Sequence, residues 1–425
     1  MNKKKLIGII VSCVIVVVVV VVVVAMRPST VVFADANLEA AVREAIDIPE
    51  GPIYREDLAG LTSLPAAARI IADLTGLEYA TGLTELGLSH NRIIDISALA
   101  SLTSLTNLSL HNNQIGDISP LGTLVGLTSV NLESNMISDI SSLVGLTKLE
   151  WLRLYGNQIS DISPLEGLTS LAYLSLHGNQ ISDISSLAGL TNLTELGLSD
   201  NQIDDISLLE GLTNLTYVGL DNNQISDIAA LAGLTNLTSL YLGGNQIGDI
   251  SPLDGLTNLT WLDLNNTQIS DISPLEGLTN LTWLSLSFNQ ISDISALAGL
   301  TGLTWLDLVN TQISDISPLE GLTNLTRLWL ADNQISDISA LQGLTNLEWL
   351  FLRDNQISDI SPLAGLTGLT WLSLSSNQIS DISPLVDNPE FGEGDKVDLR
   401  ENPLSEQSIN EYIPALRARG VTVEY

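Results

Sequence analysis

The sequence predicts an α/β solenoid in which stacked coils each add one short strand to a curved parallel sheet. Two observations predict it. From Leu83 onward, a 22-residue pattern recurs without an insertion or a deletion. Within each repeat, leucines alternate with variable residues, as in LTWLSL over residues 281–286, and such alternation sends every second side chain of a strand inward. Coils of this kind bury a core only by stacking on their neighbours, so the whole array is expected to form one solenoid.

The repeat unit reads LxxLxLxxNQIxDIxxLxGLxx, which is a leucine-rich repeat at the short end of the known range. Its asparagine column runs from Asn91 to Asn377, with Thr267 and Thr311 in the two gaps, and marks fourteen repeats over residues 83–386. We expect these side chains to satisfy backbone groups where the chain turns away from the strand, because unpaired buried amides are costly.

The DISPLEG segment of a typical repeat predicts a short helical turn on the convex side of the coil. Ser163, Pro164 and Glu166 suit the Ncap, N1 and N3 positions of such a turn, and Gly167 can end it. Since a single turn is thin, we expect the curvature of the sheet to be modest.

An aspartate precedes this turn in all fourteen repeats, from Asp95 to Asp381. Carboxylates stacked at repeat spacing repel one another, so the column can be interpreted as a calcium ladder. The other interpretation is that each carboxylate accepts backbone hydrogen bonds at the start of the turn and gains from its positive end. We favour the second, and we predict neither a metal site nor a cofactor.

The first thirty residues predict export. Lysines at positions 3–5 precede an apolar run over residues 6–26, and its 21 residues match the roughly 20 that a membrane helix needs. We expect an uncleaved membrane anchor there, with the lysines in the cytoplasm and the repeats at the cell surface. Two alternatives also export the chain: cleavage near residues 32–34, which would give a secreted protein, and lipidation at Cys13.

Composition excludes several classes of function. The formal net charge is −33, from 49 Asp plus Glu against 16 Lys plus Arg, and so acidic a surface repels nucleic acid. The single cysteine, Cys13, permits no intramolecular disulfide and no cysteine-based zinc or redox site. The chain has no G-x-S-x-G, H-E-x-x-H or P-loop pattern and no convincing catalytic set, so we expect it not to be an enzyme.

The repeat with its NQISDISPL core resembles the leucine-rich repeat domain of bacterial internalins and related surface proteins. Residues 33–61 resemble the helical cap that precedes such repeats, with Leu38, Val42 and Ile46 as an apolar stripe. The resemblance implies a binding role.

The far end of the chain predicts a second cap. Residues 397–425 begin like one more repeat and then read as a closing helix, which Ser405 caps and Gly420 ends. The predicted organisation is therefore a membrane segment, an N-terminal cap, the fourteen repeats and a C-terminal cap. These parts span residues 1–30, 31–82, 83–386 and 387–425.

Function is expected at the outward strand positions, which the repeat leaves free to vary. Counting Leu281 as position one, positions three, five, seven and eight face the concave side. All seven tryptophans and all three histidines, His90, His111 and His177, fall there. The predicted ligand-binding residues are Trp151, Tyr155, Tyr173, Tyr217, Tyr241, Trp261, Trp283, Phe288, Trp305, Arg327, Trp329, Trp349, Phe351, Arg353 and Trp371.

The tryptophans have two interpretations. Trp261, Trp283 and Trp305 occupy one column in consecutive repeats, so their rings could stack and simply strengthen the sheet. Alternatively they face outward because a ligand buries them, as it buries aromatic hot spots in interfaces. The neighbouring positions vary and include Asp263 and Asp307, whereas simple duplication would leave them uniform. We favour binding, by a ligand with both apolar and basic groups.

The sequence thus predicts an exported, membrane-tethered recognition module that binds a protein ligand through its aromatic-rich concave face. An alternative ligand is a cell-surface glycan or peptidoglycan fragment, whose sugar rings could stack on the tryptophans. A third possibility is a cytoplasmic regulatory scaffold, which the N-terminal apolar run opposes.

Overall fold

The structure is a computed structural model and describes residues 29–425. It contains two compact units, one ending at Leu149 and the other beginning at Glu150. In both units a typical coil has a three-residue strand, a turn at the asparagine, and a short 3-10 turn on the opposite side. The predicted leucine-rich repeat solenoid is confirmed.

From residue 29 onward, the first unit has two helices followed by four parallel strands. Strand β1 pairs with β2 at a spacing of 22 residues, Ser63 opposite Glu85, so the repeat register starts one coil earlier than the sequence pattern indicates. The helices are α1 (Ala36–Ile46) and α2 (Arg55–Ala59), the strands are β1 (Ser63–Pro65), β2 (Glu85–Gly87), β3 (Asn107–Ser109) and β4 (Ser129–Asn131), and the 3-10 turns span Leu77–Tyr79, Ser97–Ser101, Ser119–Thr123 and Ser141–Leu143.

Helix α1 forms the predicted N-terminal cap. The Asp35 carboxylate accepts hydrogen bonds from the backbone N–H groups of Asn37 (2.8 Å) and Leu38 (3.2 Å), which fixes where the helix begins. Leu38 and Val42 are fully buried, as predicted, whereas Ile46 is only half-buried because the helix ends there. Two of the three predicted stripe residues therefore belong to the core.

The second unit carries thirteen parallel strands paired in sequence order. The strands are β5 (Trp151–Arg153), β6 (Tyr173–Ser175), β7 (Glu195–Gly197), β8 (Tyr217–Gly219), β9 (Ser239–Tyr241), β10 (Trp261–Asp263), β11 (Trp283–Ser285), β12 (Trp305–Asp307), β13 (Arg327–Trp329), β14 (Trp349–Phe351), β15 (Trp371–Ser373), β16 (Lys396–Asp398) and β17 (Thr422–Glu424). The helices are α3 (Ser383–Asp387) and α4 (Ile413–Ala418), the latter preceded by a π-helical turn, Ser408–Tyr412. The 3-10 turns span Ser163–Leu165, Ser185–Leu187, Ser207–Gly211, Ala229–Leu231, Ser251–Leu253, Ser273–Leu275, Ser295–Gly299, Ser317–Leu319, Ser339–Leu341 and Ser361–Gly365.

The asparagine column has the predicted role. The side-chain nitrogen of Asn289 donates to the carbonyls of Leu264 (2.8 Å) and Leu286 (2.9 Å), and its oxygen accepts from the backbone N–H of Ile269 (3.1 Å). Thr267 fills its gap with a hydroxyl that donates to the Leu264 carbonyl at 3.0 Å. Each buried side chain thus links two successive coils and satisfies backbone groups that would otherwise be unpaired.

The aspartate column caps the 3-10 turns. Asp161 Oδ1 accepts from the backbone N–H of Ser163 at 2.8 Å, and the equivalent bond is present in all fourteen repeats. Ser163 is therefore the first residue of its turn and Pro164 the second, so the predicted capping position is wrong. The reason is that the aspartate two residues earlier can reach the free N–H. The capping interpretation of this column is confirmed.

The C-terminal cap closes the last coil as predicted. The Ser405 hydroxyl accepts from the Ser408 backbone N–H at 3.1 Å, and Gly420 adopts a left-handed φ of 93° where the helix ends. Arg419 ties the helix to the preceding loop, since its Nε donates to the carbonyl of Phe391 at 2.8 Å. Phe391 itself is buried.

The predicted membrane anchoring is contradicted. Within residues 29–425, the structure has no helix that is both long and apolar enough to cross a bilayer. Helix α1, with eleven residues, spans about 16 Å, about half of a bilayer's roughly 30 Å hydrocarbon core, and it carries Glu39 and Arg43. The apolar run over residues 6–26, from which the anchor is predicted, lies outside the described residues. We therefore set aside the membrane-anchored, cell-surface location.

Candidate binding face

A typical strand of the second unit presents its first and third side chains on the outside of its coil. In β10, Leu262 is fully buried, while Trp261 and Asp263 on either side of it are half-buried. This is the period-two alternation that the sequence predicts. We call the outward side of β5–β17, together with the turn residues that follow each strand, the sheet face.

A continuous run of aromatic rings crosses this face, and we call it the aromatic strip. It consists of Tyr217, Tyr241, Trp261, Trp283, Trp305, Trp329, Trp349, Phe351 and Trp371. All nine residues are among those predicted from the sequence, and the structure brings each into contact with at least one other.

The middle of the strip is a stack of three indoles. The ring centroids of Trp261 and Trp283 are 4.0 Å apart and those of Trp283 and Trp305 are 4.2 Å apart, with planes within 6° of parallel. Trp305 then meets Trp329 edge to face at 4.9 Å. Such pairs contribute about 0.5–1.5 kcal/mol each beyond their buried area, so the strip stabilises the sheet to some degree.

Cations of the chain itself cover one end of the strip. The Arg327 guanidinium lies 4.3 Å from the centre of the Trp349 ring, and the Lys396 ammonium lies 5.4 Å from the centre of the Trp371 ring. Both are cation–π contacts. Lys396 is absent from the predicted site because the spacing from Trp371 to Lys396 is 25 residues rather than 22, which hides its pairing from the repeat pattern.

Arg353 is engaged in ion pairs. Its guanidinium lies 2.8 Å from an oxygen of Asp332 and 3.2 Å from an oxygen of Asp354. Because all three side chains are substantially exposed, these pairs contribute little to folding stability. They do hold Arg353 on the sheet face near Phe351, which belongs to the strip.

Three carboxylates, which we call the carboxylate row, accompany the strip: Asp221, Asp263 and Asp307. Burial raises the pKa of Asp221 to about 6, with the charge of Asp263 as the next cause, and burial also raises the pKa of Asp263 and Asp307. No Lys or Arg occurs in the sequence between Arg153 and Arg327, so this part of the chain supplies no basic residue to offset them.

Asp221 is held in place by neutral donors. Its Oδ2 accepts from the Ser199 hydroxyl at 3.1 Å and its Oδ1 from the backbone N–H of Gly243 at 3.0 Å. Nearby, burial raises the pKa of Tyr217 to about 12, with the neighbouring Tyr241 as the next cause, so both phenols stay protonated at neutral pH.

A smaller aromatic cluster occupies the first strands of the second unit. Trp151 and Tyr173 are stacked at 4.6 Å, and the Arg153 guanidinium lies 5.0 Å from the centre of the Tyr173 ring. Tyr155 meets His177 edge to face at 6.4 Å. Trp151 is 43% exposed and Tyr155 47% exposed, so both remain accessible.

Phe288 does not join the strip. It occupies a left-handed turn position with φ of 56°, unusual for a residue other than glycine, and 54% of it is exposed. Within residues 29–425 its ring forms no stacked or edge contact with another aromatic ring. The structure therefore separates Phe288 from the other predicted site residues.

The described part of the chain offers no arrangement of three or more His, Cys, Asp and Glu side chains suited to a metal ion. In the first unit, the rings of His90 and His111 are in edge-to-face contact, with their centroids 5.0 Å apart.

Comparisons with known proteins agree with this architecture. A family model described as leucine rich repeats in two copies matches most of the chain, which therefore belongs to the leucine-rich repeat family. The matched segments are residues 81–123, 103–145, 147–189, 191–233, 218–255, 235–277, 257–299, 301–343 and 345–387. A comparison with curated protein sequences gave no match.

Comparison with solved structures shows which leucine-rich repeat proteins this chain is similar to. An internalin (inlF) from Listeria monocytogenes is 39% identical with a TM-score of 0.68, over 84% of this chain and 99% of that chain. A leucine-rich repeat protein of Leptospira interrogans is 21% identical with a TM-score of 0.68, over 87% and 97%. The plant peptide hormone receptor RGFR1 in complex with RGF2 is 19% identical with a TM-score of 0.55, over 88% and 81%. This chain is an internalin-like bacterial leucine-rich repeat protein.

Proposed function

We propose that the protein is a recognition module that binds a protein ligand through the sheet face of its second unit, with the aromatic strip as the centre of the site. The observation that carries this proposal is the continuous run of nine half-exposed or exposed rings beside a row of partly buried carboxylates. Aromatic side chains at the centre of a patch are the usual source of hot-spot energy in interfaces.

The rings are well placed for binding because they are already ordered. The strands fix their backbones, and each ring is held by its neighbours, so a ligand meets a rigid surface and little side-chain entropy is lost on association. Two tryptophans of the strip also bury a polar group without a hydrogen bond, which costs stability. Within the described residues, the buried indole N–H groups of Trp261 and Trp329 have no hydrogen-bond acceptor. Such a group costs about 1–3 kcal/mol, which argues against stability as the sole role of the strip.

The comparisons support a binding role in general terms. The plant receptor RGFR1, which shares the fold, is in complex with RGF2, so a leucine-rich repeat protein of this architecture can hold a ligand. The proposal that this chain is a binding module rather than an enzyme agrees with its membership of the internalin-like group.

A glycan is the weaker candidate for the ligand. Sugars bind tryptophan by lying flat against the face of the ring. Both faces of Trp283 are covered, by Trp261 on one side and Trp305 on the other, at centroid distances of 4.0 and 4.2 Å. The stack therefore offers ring edges, which suit the irregular apolar side chains of a protein better than the flat faces of sugars.

The proposal can be tested by selecting binders from a displayed library of random peptides with the full chain as bait. We expect the selected peptides to lose at least about 30-fold in affinity when Trp261, Trp283 and Trp305 are all changed to alanine. Trp151→Ala is the comparison variant: it removes one exposed tryptophan from the same face outside the strip, and we expect it to weaken the selected peptides less than the triple change does. Selected peptides that bind the triple variant as well as the unchanged protein would refute the proposal.

A further inference from the structure

The carboxylate row has a feature that the core of the protein does not require. The hydrogen bonds that hold these groups come from neutral donors: Asp263 accepts from the backbone N–H of Asn265 at 2.9 Å, and Asp307 accepts from that of Val309 at 3.0 Å. Partly buried carboxylates without a cationic neighbour are energetically unfavourable, and a basic group would relieve them.

We propose that the carboxylate row and the aromatic strip together bind an extended basic segment of the protein ligand, with lysine or arginine side chains at every third position. This inference rests on the proposed function and specifies the chemistry of the partner. Charge complementarity selects a basic partner, and the geometry of the strands sets the spacing of its side chains.

The chain itself shows what a cation does on this face. At one end of the strip, Arg327 lies over Trp349 at 4.3 Å and Lys396 over Trp371 at 5.4 Å. In the middle, Tyr241 and Trp261 lie beside carboxylates, and no Lys or Arg occurs in the sequence of the repeats that form this part. A ligand cation placed there would pair with the carboxylates, while its aliphatic stem packs against the ring edges.

The spacing of the row selects a conformation for the segment. Asp263 and Asp307 are the last residues of β10 and β12, which are two strands apart, and parallel strands are spaced at about 4.8 Å, so the two carboxylates repeat at about 9.6 Å. A polyproline II helix rises about 3.1 Å per residue with three residues per turn, so every third side chain recurs on one side at about 9.3 Å. A β-strand would instead send residues i and i+3 to opposite sides.

Asp221 extends the row by two more strands, with a sideways offset. It lies two residues beyond the end of β8, whereas Asp263 ends β10. The flexible four-carbon stem of a lysine can span such an offset. The row therefore accommodates three successive basic side chains of a polyproline II segment.

The test uses the full chain and a synthetic peptide of four Lys-Pro-Pro units, with calorimetry as the readout. One control peptide has four Glu-Pro-Pro units, and another has the same composition with its four lysines contiguous. We expect the Lys-Pro-Pro peptide to bind, the contiguous-lysine peptide to bind at least about tenfold more weakly, and the glutamate peptide not to bind. Equal binding of both lysine peptides, or no binding of either, would overturn the inference.

Matched charge variants locate the site. In the first, Asp221, Asp263 and Asp307 are changed to asparagine; in the second, Asp254→Asn, Glu276→Gln and Glu320→Gln remove the same charge from exposed positions just after 3-10 turns on the opposite side of the coil. We expect the first to weaken the Lys-Pro-Pro peptide at least about 30-fold and the second less than about threefold. Equal weakening by the two would mean non-specific attraction to an acidic protein and would overturn the inference.

The outcome is distinguishable from failure of the proposed function. If the lysine peptide fails while library-selected peptides still require Trp261, Trp283 and Trp305, only the basic-segment inference is overturned. If the selected peptides also ignore these tryptophans, the proposed function is refuted as well. Melting temperatures of all variants, measured in parallel, establish that each comparison concerns folded protein.

Discussion

The sheet faces of the two units are built on the same coil but carry different side chains. Strands β1–β4 present Ser63, Pro65, Glu85, Gly87, Asn107, Ser109, Ser129 and Asn131, which are small or polar, whereas β8–β15 present the aromatic strip. Beneath both faces the leucines are buried, and the asparagine side chains make the same bonds to neighbouring coils. The coil evidently forms without aromatic residues on its face, so the strip reflects a demand other than folding.

Because the asparagine side chains make the same hydrogen bonds in both units, removing one should cost the same stability in either unit. In the first unit, Asn113 donates to the carbonyls of Leu88 (3.0 Å) and Leu110 (2.9 Å), just as Asn289 does to its own neighbours in the second. Asn113→Ala and Asn289→Ala should each lower the free energy of unfolding by about 1–3 kcal/mol, because each change leaves buried backbone groups without a hydrogen-bond partner. Denaturant melts measure both. A loss confined to one unit would show that the scaffolds are not equivalent.

The buried carboxylates on the sheet face of the second unit are expected to lower its stability at neutral pH. Burial raises the folded-state pKa of Asp221 from 3.8 to about 6, and the charge of Asp263 adds to the rise. Tyr217 and Tyr241 are its other titratable neighbours. The Ser199 hydroxyl donates to Asp221, and the Ser199 backbone N–H donates to the His177 ring. Because the folded state binds the Asp221 proton more tightly than the unfolded state, the free energy of unfolding is highest below about pH 4 and falls as the pH rises to about 6 and beyond. Asp221→Asn has no proton to lose, so this fall in stability is absent from the variant.

We therefore expect Asp221→Asn to leave stability nearly unchanged at pH 4 and to raise the free energy of unfolding by about 1–2 kcal/mol at pH 7.5. Asp271, which caps a 3-10 turn, is the opposite control. Backbone and side-chain hydrogen bonds from Ser273 lower its pKa, so Asp271→Asn should destabilise the protein at pH 7.5 and less so as the pH falls. Parallel pH profiles of the two variants with the same slope would contradict this account.

Grafting the strip onto the first unit separates stacking from binding. Glu85, Asn107 and Ser129 lie side by side as the first residues of β2–β4, in the same register as the stacked indoles of β10–β12. Changing all three to tryptophan should raise the free energy of unfolding by about 0.5–1 kcal/mol through ring stacking. It should not create a second site for peptides selected on the unchanged protein. A binding stoichiometry of two peptides per protein would show that stacked indoles alone are enough to form the binding site.

The repeated features were predictable from sequence because each is dictated by the same contacts in every coil. The leucine, asparagine and aspartate columns recur in register, and their roles follow from burial and backbone hydrogen bonding. Strand β1 was hidden because Arg69 occupies the asparagine place and Pro65 ends the strand. In the structure, the Arg69 backbone N–H donates to Oδ1 of Asn91 from the next coil at 3.1 Å, which joins this coil to the array.

The details of the site were less predictable because they depend on contacts between side chains rather than on register. The sequence places Trp283, Phe288 and Trp329 on one face, but only the structure shows that Trp283 is stacked, Trp329 meets its neighbour edge to face and Phe288 lies apart. Asp221 is absent from the sequence prediction, and Asp263 and Asp307 enter it only as variable neighbours of the tryptophans, because the importance of these carboxylates lies in their burial. Asp307 is only 8% exposed although its position in the repeat faces outward.

The central claim is that the aromatic strip is a binding site that also stabilises the sheet, and one double measurement tests it directly. On the same preparations of the Trp261, Trp283 and Trp305 triple alanine variant, denaturant melts give stability, and calorimetry against a library-selected peptide gives affinity per folded molecule. We predict a loss of about 1–3 kcal/mol in stability, from the broken stack, together with an affinity at least about 30-fold weaker. A variant that melts earlier yet binds with unchanged affinity would contradict the claim and leave the strip as a structural ladder.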